Sequence, residues 1–171
     1  GGPQDIHFEN LKGKSNLLLG NKSVYQTSNK VSDFKSMRFP TSSGKVYTWI
    51  ESGKSGTQTY SAISLNGSKI DRVAPVSHEL HLRYGSFDPT TNPLAVDPNL
   101  KAGENCGTFI VQFQTQPLEE YRDAITREGG VIQNYLPDNA YVVEFDPARA
   151  ETLRNMPFVR WVGALQPGWR I

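Results

Sequence analysis

Apolar residues recur at every second position along most of this chain and at helical spacing in only two places. The helical places lie in the last third. Pro117 opens the first, where Leu118, Tyr121 and Ile125 form one stripe while Glu119, Arg122 and Glu128 point elsewhere. Gly129-Gly130 closes it with a left-handed cap. Asp146-Pro147 is an N-cap followed by a first-turn proline and starts the second, with Leu153 and Met156 as its apolar face and Pro157 as its stop. Strand patterns surround these helices. Gly107–Gln114 places Phe109, Val111 and Phe113 on one face and Ile110, Gln112 and Gln114 on the other. Val131–Leu136 and Ala140–Phe145 form a hairpin turned by Pro137-Asp138-Asn139, and Phe158–Val162 is the last strand. The order β-α-β-β-α-β predicts a ferredoxin-like split βαβ domain.

The first half shows alternation almost without helix signals. Asn16–Leu19 and Ser23–Gln26 flank a Gly20-Asn21 turn, and Lys45–Ile50 is rich in β-formers. Thr57–Leu65 runs into Asn66-Gly67, the dipeptide favoured in a type I′ turn, with Ser68–Val73 as the returning strand. His78–Tyr84 alternates, with Leu80 and Leu82 on one face and Glu79, His81 and Arg83 on the other. Residues 27–44 are rich in Ser and Lys and read as loop. The expectation is a small antiparallel sheet or sandwich of about six strands. Phe87–Asn99 carries three prolines and no periodicity, the mark of a linker. The class is therefore α+β, with a β-rich domain over 1–86, a linker over 87–106, a ferredoxin-like domain over 107–163 and an extended tail over 164–171.

A chain of 171 residues with 37% hydrophobic and 11% aromatic content supports one or two packed domains. Net charge +1 gives no reason to expect nucleic acid or an anionic membrane as partner. No apolar run approaches the length of a membrane span. Cys106, the one cysteine, has no partner for an internal disulfide and reads as a spare thiol, since no His lies in the rest of its domain. The Gly1-Gly2-Pro3 start reads as a processed or engineered end.

Several constellations invite chemistry. His78-Glu-Leu-His81 resembles a zinc-protease motif, but helical zinc sites place their histidines four apart; here they are three apart within an alternating strand, so the rings face opposite ways. A serine-protease triad is not legible: His7, His78 and His81 all lie in the first half, without a Gly-x-Ser-x-Gly motif. Glu119-Glu120 reads as a solvated helix surface. Phe109, Phe113, Tyr141 and Phe145 sit where RNA-recognition domains stack bases, but the helices need those aromatics for a core and residues 101–171 carry more acids than bases. Neither a cofactor nor a metal is implied.

The ordered set Ile110-Val-Gln-Phe113, Arg127-Glu-Gly-Gly-Val131, Tyr141-Val-Val-Glu-Phe145 and Val159-Arg-Trp-Val162 resembles the propeptide of subtilisin-like serine proteases. Upstream, Ser64-Leu-Asn-Gly67, Arg72-Val73 and Leu82–Pro89 are similar to the N-terminal extension of some large bacterial secreted subtilases. The resemblance implies a secreted or periplasmic, non-catalytic inhibitor and folding helper whose partner is the protease domain. It implies that the sheet face carrying Ile110, Gln112, Val142 and Glu144 docks on the protease. It also implies that Leu165, Gln166, Pro167, Gly168, Trp169, Arg170 and Ile171 lie extended in the active-site cleft, Ile171 being the self-cleaved end. Gly163, Ala164 and Leu165 depart from the family, which often has acidic residues there, and Gly168 stands where a larger apolar residue is common. The competing expectations are a binding module of a secreted protein and a free-standing inhibitor.

Overall fold

The computed structural model describes residues 5–39, 43–83, 85–91, 106–167 and 169. It divides the chain into two compact units, Gly1–Val76 and Ser77–Ile171. The division falls ten residues before the expected boundary at 86, because the Leu80–Phe87 segment buries its apolar face in the second unit. Ten Lys and Arg stand against five acids in the first unit, and eight against twelve in the second.

Every regular element among the described residues of the first unit is a β-strand. Strands β1 (Ile6–Leu11), β2 (Lys14–Leu19) and β3 (Lys22–Thr27) form one antiparallel sheet, and β4 (Lys30–Arg38), β5 (Lys45–Gly53), β6 (Gly56–Ser64) and β7 (Arg72–Val76) form another. Leu17, Tyr47, Trp49 and Ala62 are buried between them, with Phe8, Tyr25, Phe34 and Tyr60 packed around. Phe8 meets Trp49 edge-on at 5.0 Å and Tyr60 stacks on it at 6.1 Å.

Three expectations fail here. Residues 27–44 contain β4, where a loop was expected. Its ladder to β5 shifts between Ser32 and Lys35, and Asp33 takes φ +55°. The bulge turns a period of two into a period of three, so Val31, Phe34 and Met37 are the half-buried positions and no alternation is visible. β1 was also not foreseen. Asn66-Gly67 does not make a two-residue turn: β6 and β7 are joined by residues 65–71. Asn66 Oδ1 accepts from the Ser68 and Lys69 amides at 2.9 and 3.3 Å, and Asp71 Oδ2 from the Leu65 amide at 2.8 Å. Side-chain acceptors replace the missing ladder bonds, and the returning strand starts at Arg72.

In the second unit a short hairpin, β8 (Leu80–Leu82) and β9 (Gly85–Phe87), precedes β10 (Thr108–Phe113), α1 (Glu119–Arg127), β11 (Val131–Leu136), β12 (Ala140–Glu144), a 3-10 turn (Pro147–Arg149), α2 (Ala150–Arg154) and β13 (Val159–Ala164). The four longer strands form one antiparallel sheet in the order β11-β12-β10-β13. α1 closes at Gly129-Gly130 as the sequence predicts, but it starts at Glu119 with Leu118 as N-cap, leaving Pro117 outside. Asp146-Pro147 opens the 3-10 turn, while α2 spans only Ala150–Arg154, short of Met156 and Pro157. Gly129 takes φ +97° while the Gly129 and Gly130 amides close α1 on the Thr126 and Ile125 carbonyls at 3.0 Å each. The Asp146 carboxylate accepts from the Ala148 amide at 3.0 Å. Phe113, Tyr121 and Phe158 make the aromatic centre on the helix side, with Tyr121 and Phe158 stacked at 4.5 Å.

Candidate functional site

Strand alternation decides what the other sheet face presents. With Phe109, Val111 and Phe113 committed to the helices, Ile110 and Gln112 of β10 turn away from them, as do Ala140 and Val142 of β12 and Leu136 of β11. Ile110 and Gln112 are fully buried and Val142 is nearly so. What covers them is the chain itself: Leu80, Leu82 and Phe87 join Ile110, Leu136, Ala140 and Val142 in one cluster, with Trp161, Leu165 and Trp169 packed against it. The docking face expected to be open is therefore occupied by residues 77–90, a strap. Glu144, the fourth residue assigned to that face, is exposed beyond the strap.

Polar latches hold the strap at its margins. The His81 amide donates to the Pro137 carbonyl at 2.8 Å, the Asp138 amide to the Glu79 carbonyl at 3.1 Å, and Asn139 Nδ2 to the Ser77 carbonyl at 2.8 Å. His81 bridges Ser86 Oγ at 2.7 Å and Asp138 at 3.3 Å. His78 Nε2 lies 2.9 Å from the Gln114 carbonyl and carries the proton there, since a carbonyl only accepts. Burial is the main influence on His78 and holds its imidazole below the ordinary value, so it is neutral near pH 7.

The centre of the face is polar. Gln112 Nε2 donates to the His78 carbonyl at 2.7 Å, and its Oε1 accepts from Arg160 Nη1 at 2.8 Å. Arg160 then grips Asp88 with both terminal nitrogens at 2.9 and 3.0 Å and reaches Thr90 Oγ1 at 2.8 Å. Both partners of this fork are largely shielded, with 16% and 23% of their side chains accessible. Burial alone would raise the Asp88 carboxyl, but hydrogen bonds from Arg160 and Thr90 outweigh it and hold the group well below the usual carboxylate range.

The tail does not run straight. Its described part is anchored by the Leu165 amide on the Thr108 carbonyl at 2.9 Å, then turns, with the Trp169 amide on the Gln166 carbonyl at 2.9 Å. This returns the Trp169 ring to the strap, 5.7 Å from Phe87. Pro167 is exposed on the turn. Gly168, Arg170 and Ile171 lie outside the described residues.

The first unit holds one further buried acid. Glu51, 2% exposed, accepts from Tyr25 Oη and Thr27 Oγ1 at 2.6 Å each, Trp49 Nε1 at 2.9 Å and Asn29 Nδ2 at 3.1 Å. Burial opposes its charge, but the donors prevail and lower its pKa. Burial, then the Glu51 carboxylate, pushes the Tyr25 phenol well up. Four neutral donors satisfy this acid and no cation touches it among those bonds, so it ties β3 of one sheet to β5 of the other rather than offering a reactive group.

Among the described residues no group of three or more His, Cys, Asp or Glu is placed to hold a metal. His78 and His81 have separate partners, and Cys106 Sγ faces the Thr108 carbonyl at 3.4 Å. No helix of the described residues is long and apolar enough to cross a membrane. The latch residues Asp88 and Arg160 were missed, since they are 72 positions apart and Asp88 sits in a proline-rich stretch that reads as linker.

Residues 81–166 match the family model of a domain of unknown function, DUF8729, and the chain belongs to that family. The match begins within the strap and ends in the tail, so it treats the hairpin and the sheet as one unit. Two curated relatives are the small ribosomal subunit protein bS16 of two Porphyromonas gingivalis strains. One is 29% identical over 82 residues, 48% of this chain and 41% of the relative; the other is 30% identical over 81 residues, 47% and 40%. The chain thus spans about two fifths of the length of these relatives. No solved structure matches.

Proposed function

We propose that this DUF8729 member is the prodomain of a subtilisin-like serine protease, a non-catalytic folding helper and product-like inhibitor of a secreted enzyme. The observation that carries the reading is the second unit's topology. Its β-α-β-β-α-β order, with the first strand of the unit's main sheet between the third and the fourth, supports reading it as a ferredoxin-like domain. The helices take one sheet face and the strap covers the other, so in this reading a partner reaches that face by displacing the strap. The tail leaves β13 beside that second face, so a docked domain holds the tail near the cleft at high local concentration. Strand addition of the tail then supplies backbone hydrogen bonds, with side-chain pockets for selectivity. In this reading Trp169 leaves Phe87 before the tail extends.

The assay is inhibition of a subtilisin-type protease by the full chain beside a version ending at Pro167. Competitive inhibition that is lost with residues 168–171 supports the prodomain. A folded, uncut chain that does not inhibit refutes it.

The covered face favours a second reading, a binding module of a secreted protein, because a domain that satisfies its own apolar face needs no partner to be stable. A ribosomal role taken from the bS16 likeness has weaker support: RNA binding rests on clustered cations, and the second unit carries more acids than bases.

A further inference from the structure

The strap covers the second sheet face without belonging to the sheet. Its hairpin pairs only Leu80 with Phe87, His81 with Ser86 and Leu82 with Gly85, and forms a separate two-stranded sheet. A hairpin of that size has little stability of its own. Its main-chain bonds to the four-stranded sheet's connections run through Glu79 and His81 to Pro137 and Asp138 at one margin. The remaining attachment is side-chain work.

That attachment combines buried apolar packing with one shielded ion pair, two parts that interfaces between proteins also combine. Three apolar anchors, Leu80, Leu82 and Phe87, fill an apolar floor, and one shielded carboxylate, Asp88, is received by a guanidinium fork. Gln112 is fully buried in the middle of the face, with its amide nitrogen on the strap and its amide oxygen on Arg160. An apolar residue there would pack without needing partners. A glutamine and an arginine keep a floor that can meet a carboxylate again after the strap leaves.

We infer that the face under the strap is an interaction surface for a partner segment presenting aliphatic and aromatic side chains beside a carboxylate, and that the strap is its built-in surrogate. The occupant is the protease of the prodomain reading, on which this inference rests for the partner's identity. The strap and the partner then compete for Ile110, Val142 and the Arg160 fork, and apparent affinity is reduced by the fraction of chains with the strap closed.

The test uses the full chain and has two arms. The first is amide hydrogen exchange, which needs no partner. The His81 and Asp138 amides are expected to exchange at least about 100-fold faster than the slowest ladder amides of β10 and β12, through an opening that leaves the sheet folded. Asp88→Asn keeps the shape and removes the charge, and is expected to speed strap exchange about tenfold without changing the ladder amides. Strap amides that exchange only with the sheet, in one global event, overturn the inference. The second arm compares inhibition of a subtilisin-type protease by the parent and by Asp88→Asn. Tighter inhibition by the variant supports competition. Equal inhibition by both, with faster strap exchange, overturns the surrogate role and leaves the prodomain reading intact. No inhibition by either, with faster strap exchange, overturns the protease as occupant and the prodomain reading together.

Discussion

Glu51→Gln isolates the most concentrated electrostatic feature of the first unit. The carboxylate receives four donors, two on each oxygen. A carboxamide has one acceptor oxygen. If its nitrogen turns toward Tyr25 and Trp49, the Tyr25 hydroxyl can rotate and accept, but the indole N–H only donates and is left facing another donor. If it turns toward Thr27 and Asn29, the hydroxyl can accept and Asn29 must flip its own amide. In the better arrangement four charge-assisted bonds become neutral ones. Bonds to a charged group contribute about 1.5–3 kcal/mol and neutral ones about 1 kcal/mol, so the gross loss is at least about 2 kcal/mol. Relief of burying a charge offsets part of any larger loss, leaving a net penalty of about 2 kcal/mol. In a unit of this size that lowers the melting temperature by roughly 8–16 °C.

The pH dependence has a definite sign. Glu51 is depressed in the folded state relative to an unfolded value of about 4.3, so its contribution is fully present above that value and is lost as pH falls through the folded pKa. The penalty of Glu51→Gln is therefore largest near neutrality and shrinks in acid. The measurement is urea unfolding at pH 7 and pH 3, followed by NMR cross-peaks of the first unit, with the Trp49 indole N–H as a local reporter. A variant within about 0.5 kcal/mol of the parent at pH 7 refutes the reasoning. So does a penalty that grows at pH 3.

Other perturbations probe other parts. Tyr25 is raised by burial and by Glu51, so the stability it brings is present below its unfolded pKa of about 10 and is lost as pH climbs above that; Tyr25→Phe should flatten the alkaline loss in a thermal-melt series. Gly67 takes φ +79°, and a Cβ there would clash with the Ser43 carbonyl oxygen, so Gly67→Ala should cost about 1–3 kcal/mol by urea unfolding. Leu80→Ala removes a fully buried strap anchor and should cost about 2–5 kcal/mol in the second unit, whereas Leu65→Ala, at an exposed position, should stay within about 0.5 kcal/mol. A chain beginning at Gly107 should expose Ile110, Leu136 and Val142 and bind a hydrophobic dye that the full chain does not.

Much of the second unit was legible because its signals are local. Gly129 and Asp146 act within a turn of their own position, and the period of two in β10 sorts its residues between two faces even though both are buried. The strap was half legible. The alternation that put Leu80 and Leu82 on one face was right, but nothing nearby in sequence says which unit those residues cover. Their partners Ile110, Leu136 and Val142 lie about 30 to 60 positions downstream. The loss of β4 has another cause, since the Asp33 bulge changes the period that reveals a strand. The Glu51 cluster brings Tyr25, Thr27 and Asn29 across 22 to 26 positions to one acid, and no short motif marks such a meeting.

The 72-residue separation of Asp88 and Arg160 has a meaning during synthesis. A ribosome adding about 5–20 residues per second brings out Asp88 roughly 4–15 seconds before Arg160. Early in that interval Leu80, Leu82 and Phe87 exist as an apolar hairpin with no finished floor beneath it. Its apolar floor is complete once β12 has paired with β10 and β11, but the Arg160 fork arrives only with β13, so the last strand of the sheet sets when the hairpin is latched.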